Sequence, residues 1–180
     1  MKLVLSIDDM SKIMWWVDAS DRTHDDCKDH TGEMMSLGGG AVISSSRKQK
    51  INTKSSTESE LVALDDALTT ILWTLYFIEA QGYSIEQNII FEDNMSTINL
   101  AVNGTFSSSK RTKHIKARYF FIKEKIEEGE VEICYCPTEK MWSNVLNKPK
   151  QGGPFRKDRA MLMGVPEEYD DNVEYRKTHQ

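Results

Sequence analysis

The alternation of apolar and polar positions along the chain predicts an interleaved series of strands and helices. Short apolar runs without helical periodicity are typical of buried strands. Such runs occupy residues 13–17, 34–37, 41–45, 88–91 and 131–136. Three consecutive glycines, Gly38 to Gly40, separate the second run from the third, which indicates an antiparallel hairpin.

Leucine and isoleucine recur at intervals of three and four residues in two longer segments, which predicts amphipathic helices. The first segment begins at Ser55 and stops at Gly82, and the second surrounds Ile115 to Ile126 before Gly129. Shorter helices are predicted for residues 95–102, 138–146 and 155–163. This order favours an α/β fold with a five-stranded mixed sheet, in which three antiparallel strands precede parallel crossovers and helices flank the sheet.

Composition fits one globular domain. The 180 residues include 23 Lys+Arg, 28 Asp+Glu, 39% hydrophobic residues and only four prolines. We assign the domain to residues 12–164, treat residues 1–11 as an N-terminal extension or linker, and expect the acidic tail at 165–180 to be disordered because it has little to bury. The net charge of -5 excludes a uniformly basic protein but leaves room for a local basic face.

Targeting signals and cysteine usage predict an intracellular protein. No stretch approaches the roughly 20 apolar residues that span a bilayer, and the N-terminus lacks a signal-peptide core, so we expect no membrane partner. Cys134 and Cys136 are alternate residues of a predicted strand, and Cys27 has no obvious mate. A reducing compartment is the expected location.

Three carboxylates lie where such a fold brings side chains together. Asp18 follows the first predicted strand, Asp93 follows the fourth, and Glu60 lies in the first turn of the long helix. Neighbouring parallel strands would place both aspartates at one edge of the sheet, in an oxygen-rich pocket suited to Mg²⁺ or Mn²⁺. Two such ions about 4 Å apart can activate water and stabilise the leaving oxygen in phosphodiester hydrolysis.

Helix geometry favours Glu60 over Glu58 as the third acid. Glu60 shares a face with the leucines that pack on the sheet, so its carboxylate points inward. An alternative remains open, because Thr57 and Glu60 also form a capping-box pattern in which Glu60 only bonds a backbone amide. Similarly, aspartates after strands are often ordinary turn formers.

Several motifs occur together in one order over residues 12–164. They are Trp15-Trp16-Val17-Asp18-Ala19-Ser20, His30-Thr31-Gly32, Arg47-Lys48-Gln49-Lys50, Ser55 to Leu64, Glu92-Asp93-Asn94-Met95-Ser96, Lys110-Arg111-Thr112-Lys113-His114-Ile115 with Arg118-Tyr119-Phe120, and Asn147-Lys148-Pro149. In this order they resemble the ribonuclease H region of copia-type retrotransposon Pol polyproteins. The resemblance implies a ribonuclease H-like fold.

The resemblance also implies an activity and a site. Asp18, Glu60 and Asp93 would be the first three metal-binding carboxylates, holding two Mg²⁺ or Mn²⁺ ions that cut the RNA strand of an RNA-DNA hybrid during retroelement replication. The implied partners are the hybrid and the reverse transcriptase part of the same polyprotein, with no small-molecule cofactor. The implied location is a cytoplasmic retroelement particle or the nucleus.

One position departs from the family pattern. The fourth acid of the family, an Asp in a motif of the form Ala-Asp-x-x-Thr-Lys, should fall at position 144, where this chain has Asn144. An amide oxygen can still touch a metal but carries no charge, so the ion beside the attacking water should bind more weakly. We therefore expect the fold and hybrid binding to be retained and the cleavage activity to be much reduced.

A basic segment is the predicted contact for nucleic acid. It contains Lys110, Arg111, Lys113, His114, Lys116 and Arg118, in an otherwise acidic chain. Cations at a helix start oppose the helix dipole, which favours a phosphate ligand over the alternative of a merely solvated helix end.

Two other functions compete with hydrolysis of hybrids. A catalytically degenerate module could bind duplexes or connect to reverse transcriptase, and Asn144 favours it. An integrase or resolvase shares strand-end carboxylates and two-metal chemistry, but its Asp-Asp-Glu order puts the glutamate last, whereas Glu60 lies between Asp18 and Asp93 here.

Overall fold

The computed structural model of the chain describes residues 2–103 and 113–166, including all their side chains except those of residues 113–117 and 119. Within these residues the predicted α/β fold is confirmed, with a five-stranded mixed sheet flanked by helices. The strands are β1 (Lys12–Ser20), β2 (His30–Ser36), β3 (Ile43–Lys48), β4 (Gln87–Glu92) and β5 (Glu132–Tyr135). The helices are α1 (Ser56–Ala80), α2 (Met95–Asn103), α3 (Lys113–Glu127), α4 (Asn144–Asn147) and α5 (Gly152–Met163).

The sheet has the order β3-β2-β1-β4-β5. β1 pairs antiparallel with β2, which pairs antiparallel with β3, while β4 runs parallel to both β1 and β5. The three antiparallel strands therefore come first along the chain, and the parallel strands follow through helical crossovers, as the element order predicts. Because β1 and β4 are parallel neighbours, their carboxyl ends lie at the same edge of the sheet.

The core lies between α1 and one face of the sheet. Side chains of β1 alternate between the two faces, and Ile13, Trp15 and Val17 are fully buried on the α1 side. They pack in one cluster with the helix side chains Leu61, Leu64, Leu68 and Ile71. Each such side chain contributes about 1.5–3 kcal/mol when it leaves water, so this layer fixes the position of α1 on the sheet.

The opposite face of the sheet is covered by the segment that leads into α4. Trp16 stacks on Trp142 with ring centroids 4.3 Å apart, and it also contacts Phe91 at 5.1 Å. Cys136 and Met141 complete this smaller cluster. Asp18 lies two residues after Trp16 on the same strand, so its side chain points to the face that α4 covers.

The first three strands differ in extent from their predicted bounds. β1 continues to Ser20 instead of ending at residue 17, so Asp18 lies inside the strand, opposite Gly32 of β2. The hairpin is confirmed, but β2 begins at His30 and β3 runs from Ile43 to Lys48. The apolar pattern missed the end of β3 because β3 is an edge strand whose mostly polar residues alternate between half-buried and exposed positions.

Two predicted helices also differ from the structure. Residues 138–146 do not form one helix, since a 3-10 turn at Thr138–Lys140 is followed by an extended Met141 and then by α4. α5 begins at Gly152, although the sequence predicts a break through Pro154. Pro154 lies in the first turn of the helix, where its missing N–H would have had no partner in any case.

One helix is long and apolar enough to cross a bilayer, so the expectation that no such stretch exists is wrong. α1 has 25 residues and contains an 18-residue window with a mean hydropathy of 1.5. In this fold 56% of that window is buried, and the buried side chains pack on the sheet. The apolar content of α1 therefore serves the core.

The N-terminal residues lie along the loop between β2 and β3. The backbone N–H groups of Val4, Ser6 and Asp8 donate to the carbonyl oxygens of Met163, Gly39 and Leu37 at 2.9–3.0 Å. Gly40 and Gly164 have positive φ angles, and a Cβ on either would lie 2.4 Å or 1.9 Å from the Val4 carbonyl oxygen. The predicted domain boundary at residue 11 stays a prediction, and most of the predicted tail at 165–180 lies outside the described residues.

Candidate active site

Three acidic side chains from distant parts of the chain converge at the edge of the sheet. Asp18 comes from β1, Glu60 from the first turns of α1, and Asp93 directly follows β4. Each offers one carboxylate oxygen, and these oxygens all lie within 4.8 Å of one another. The structure thus brings together the three carboxylates that the sequence predicts, in a group that could hold a metal ion.

Glu60 points into this site, and the capping alternative for it is wrong. The N-cap of α1 is Ser55, whose hydroxyl oxygen accepts the N–H of Glu58 at 3.2 Å. Glu58 completes the cap by accepting the N–H of Lys54 at 2.8 Å. Glu60 is 6% exposed, and its Oε2 accepts the N–H of Ala19 on β1 at 2.7 Å. The capping box is therefore shifted by two residues, which frees Glu60 for the site.

A fourth carboxylate, which the sequence reasoning did not assign, lies beneath this cluster. Glu92 ends β4 and is fully buried, with its Oε1 accepting the N–H of Asn94 at 2.9 Å. Within the described part of the chain its Oε2 has no hydrogen-bond partner. Two consecutive acids end this strand in the sequence, but the family motif assigns a role only to the second, Asp93.

Burial and mutual repulsion of these acids raise two pKa values. Burial, followed by repulsion from Glu92 and Asp18, holds the pKa of Glu60 well above its ordinary value. Burial, with repulsion from Asp93 and Asp18, raises the pKa of Glu92 to about 8. Burial is the largest cause of both shifts, and the negative charge of the neighbouring acids adds to it; a bound cation would relieve that repulsion.

The two oxygens of Asp18 have different surroundings. Its Oδ2 accepts hydrogen bonds from the Asn147 amide at 2.9 Å and from the Lys148 ammonium at 2.8 Å. Its Oδ1 is buried and has no hydrogen-bond partner among residues 2–103 and 113–166. A buried carboxylate oxygen without a partner is costly, so Oδ1 is the atom of this site most in need of a ligand.

Asn144 is placed beside Asp18 by contacts that hold α4 on the sheet. Ser20 and Ser46 donate to the carbonyl oxygens of Asn147 at 3.0 Å and Leu146 at 2.5 Å. Gly32 permits the close approach, because a Cβ there would lie 2.7 Å from the Ser143 carbonyl oxygen. The Asn144 amide donates to the Thr138 carbonyl at 2.9 Å, and its Oδ1 accepts from Lys148 at 2.7 Å.

Known proteins resemble the chain in sequence and in fold. No protein-family model matches it. It is 28% identical over 124 residues to the retrovirus-related Pol polyprotein from transposon TNT 1-94 of Nicotiana tabacum, an alignment that covers 69% of this chain and 9% of the polyprotein. It is 29% identical over 142 residues to the corresponding polyprotein from transposon RE1 of Arabidopsis thaliana, which covers 78% of this chain and 10% of that one. The chain thus spans about a tenth of the length of these relatives.

Solved structures give the fold. LC11-RNase H1, isolated from compost, superposes with a TM-score of 0.53 at 17% identity, covering 76% of this chain and 92% of that one. The same enzyme in complex with an RNA/DNA hybrid gives a TM-score of 0.53 at 16% identity, covering 72% and 88%. The chain has the ribonuclease H fold and is similar in sequence to part of retrotransposon Pol polyproteins. The resemblance noted in the motifs is confirmed.

In this ribonuclease H-like domain, Asn144 is the residue that the family motif aligns with the fourth acid, and that alignment stays a prediction. Asn144 lies at the start of α4 and is 3% exposed, on the Asp18 side of the acid cluster. The sequence reasoning missed two side chains that bond Asp18, namely Asn147 and Lys148, of which Lys148 also bonds Asn144. Both belong to the final motif, and their position one turn after Asn144 was the available signal.

The predicted nucleic-acid contacts of the domain remain predictions. Lys110 and Arg111 lie outside the described residues, and Lys113, His114 and Lys116 lie in the first turn of α3 with side chains that the structure does not describe. Arg118 is described, and its guanidinium donates to Asp65 and, at 3.1 Å, to Asp66 of α1. This pairing fixes α3 against α1.

Proposed function

We propose that this chain is a divalent-metal-dependent ribonuclease H, which hydrolyses the RNA strand of RNA-DNA hybrids at a rate lowered by Asn144. The observation that carries the proposal is the convergence of Asp18, Glu60 and Asp93, with oxygens within 4.8 Å of one another. The ribonuclease H fold and the relationship to retrotransposon polyproteins support the same assignment.

The donor set fits Mg²⁺ or Mn²⁺. All three side chains offer carboxylate oxygens, which these hard cations prefer over nitrogen or sulfur ligands. The unpartnered Oδ1 of Asp18 and the raised pKa of Glu60 both indicate an uncompensated anionic site. When bound, the metal would activate water and stabilise charge on the phosphate.

The protein groups around the acids position them and exclude water from part of the site. The N–H of Ala19 holds Glu60, and the hydroxyl of Thr138 donates to Asp93 at 2.7 Å. Asn147 orients Asp18 from the other side. These contacts keep the carboxylates in place before any ion or substrate binds, which is the preorganisation that electrostatic catalysis requires.

Asn144 reduces the charge that this arrangement can offer. The resemblance implies a second ion beside position 144, and an amide oxygen attracts a divalent ion less than a carboxylate does. We therefore propose slow cleavage with retained hybrid binding, supported by the basic segment that begins at Lys110. As part of a Pol polyprotein, the domain would act beside reverse transcriptase, inside the cell in a retroelement particle or in the nucleus.

A second candidate function is that of a non-catalytic duplex-binding module or a connector to reverse transcriptase. The specific observation in its favour is that Lys148 bonds both Asp18 and Asn144, so part of the site is already neutralised. Such a module would bind hybrids without cutting them.

A cleavage assay separates the two functions. An end-labelled RNA strand, annealed to DNA, is incubated with the purified chain in Mg²⁺, in Mn²⁺ or in EDTA, alongside the variants Asn144→Asp and Asp93→Asn. We expect slow, metal-dependent cleavage by the wild type, faster cleavage by Asn144→Asp and none by Asp93→Asn. Hybrid affinity, measured by fluorescence anisotropy, should change little among the three proteins.

Two outcomes would contradict the proposal. Equal and rapid turnover by the wild type and Asn144→Asp would show that the missing acid has no effect. Hybrid binding without any cleavage by either protein would instead establish the non-catalytic module.

A further inference from the structure

The ammonium group of Lys148 lies between Asp18 and Asn144, two of the four positions at which the family fold would hold cations. Its Nζ is 2.8 Å from Asp18 Oδ2 and 2.7 Å from Asn144 Oδ1. Lys148 follows Asn144 by one helical turn, and its backbone N–H donates to the Asn144 carbonyl at 2.9 Å. The cation is thus held by the same short helix that carries the exchanged residue.

This contact gives the two carboxylate oxygens of Asp18 different surroundings. A carboxylate that bridges two ions gives one oxygen to each. Here Oδ1 is buried without a partner in the described part of the molecule, whereas Oδ2 already has two donors, Lys148 and Asn147. Oδ1 is therefore available to an ion shared with Glu60 and Asp93, and Oδ2 is committed to the ammonium of the protein.

The amide of Asn144 fits this arrangement better than a carboxylate would. Its nitrogen donates to the Thr138 carbonyl, which turns its oxygen towards Lys148. An aspartate would place a negative oxygen against that carbonyl and would lose the hydrogen bond. The loss of the fourth acid and the position of Lys148 are consequently parts of one network.

We propose that Lys148 takes the place of the second divalent cation, so that this chain binds one metal ion, between Asp18, Glu60 and Asp93. The inference rests on the proposed function, because it concerns the metal site of that reaction. The Lys148 side chain is 39% exposed, so it is accessible to solvent while its ammonium bonds Asp18 and Asn144. It supplies a fixed positive charge where a mobile ion would otherwise be needed.

The test counts ions and does not depend on activity. Bound Mn²⁺ per chain is measured by equilibrium dialysis and by calorimetry for the wild type, Asn144→Asp, and the double variant Asn144→Asp with Lys148→Met. Lys150→Met is the matched control, because it removes the same charge two residues away, where Lys150 pairs with Asp158 at 2.5 Å. Thermal melting confirms that each variant is folded.

We expect one Mn²⁺ in the wild type and in Lys150→Met, one tightly and one weakly bound Mn²⁺ in Asn144→Asp, and two tightly bound ions in the double variant. In the double variant the second ion should bind roughly tenfold or more tightly than any second ion in the single variant. Two ions in the wild type would overturn the inference, even if the double variant failed to fold. A second ion that binds as tightly in Asn144→Asp as in the double variant would also overturn it, because the amide and not Lys148 would then set its affinity.

Failure of the proposed function is distinguishable from failure of this inference. One bound ion without cleavage of hybrids would remove the enzymatic proposal and leave the role of Lys148 intact. Cleavage with two ions would do the reverse, and no bound ion at all would remove both.

Discussion

Glu92 gives the sharpest test of the electrostatics beneath the site. Its carboxyl group is fully buried, its Oε2 has no partner among the described residues, and its pKa rises from 4.5 to about 8 on folding. We predict that Glu92→Gln, which keeps the shape and removes the charge, stabilises the metal-free protein at high pH.

The magnitude follows from the pKa. Each tenfold change in proton affinity is worth about 1.4 kcal/mol, so a carboxyl pKa that rises from 4.5 to about 8 costs at most about 5 kcal/mol of folding free energy above pH 8. We expect about 2 kcal/mol, because local relaxation lowers the penalty for buried charges. The increase in the free energy of unfolding of Glu92→Gln is the part of this cost that the neutral amide does not incur.

The pH dependence has a definite sign. Between pH 4.5 and about 8 the folded state retains a proton on Glu92 that the unfolded state has released, so the free energy of unfolding of the wild type falls as pH rises through this window. Near pH 5 the wild type and Glu92→Gln should differ by less than about 0.5 kcal/mol, and the full difference should appear at pH 9.

Urea unfolding in EDTA at the two pH values measures this difference. Glu86→Gln is the control, because Glu86 is an exposed glutamate six residues earlier, and it should give no pH-dependent gain. A Glu92→Gln protein that is no more stable than the wild type at pH 9 would refute the reasoning. A gain of equal size at both pH values would refute it as well, because the effect would then not come from charge.

Three further variants, one of them with a matched control, test the local structure around the site. Ser55→Ala should lower the free energy of unfolding by about 1 kcal/mol by removing the N-cap of α1, while Thr57→Ala should leave it nearly unchanged in urea unfolding. Gly32→Ala should cost about 1–3 kcal/mol and slow hybrid cleavage, because the added Cβ pushes the Ser143 carbonyl and α4 away; unchanged cleavage would argue against the role of α4. Arg118→Met should cost about 1 kcal/mol at pH 7 by leaving two half-buried aspartates unpaired, and an unaltered urea midpoint would contradict that.

The acid cluster could be predicted because it depends on regular elements. β1 and β4 are parallel neighbours, so acids at their carboxyl ends meet whatever the details of the loops. Helix periodicity placed Glu60 on the inner face of α1, and the structure shows why the rival cap does not form, since Ser55 and Glu58 provide it. Both inferences use periodicities that the backbone imposes on any sequence.

The parts that could not be predicted depend on long-range side-chain contacts. Lys148 reaches Asp18 across 130 residues of sequence, and only the packing of α4 on β1, β2 and β3 brings them together. The polar edge strand β3 carries little apolar signal, and its bounds were misplaced for that reason. Glu92 was missed because burial of a charged residue cannot be recognised from its strand-end position alone.

Analysis of the RNA ends that the chain produces from a hybrid tests the central claim most directly. Hydrolysis by a metal-activated water should leave a 3′-hydroxyl and a 5′-phosphate on the RNA strand, with the DNA strand intact. We predict these ends from the wild type in Mg²⁺ or Mn²⁺, a larger yield of the same ends from Asn144→Asp, and none from Asp93→Asn or in EDTA. A 2′,3′-cyclic phosphate, a cut DNA strand, or cleavage that persists in Asp93→Asn would contradict the account.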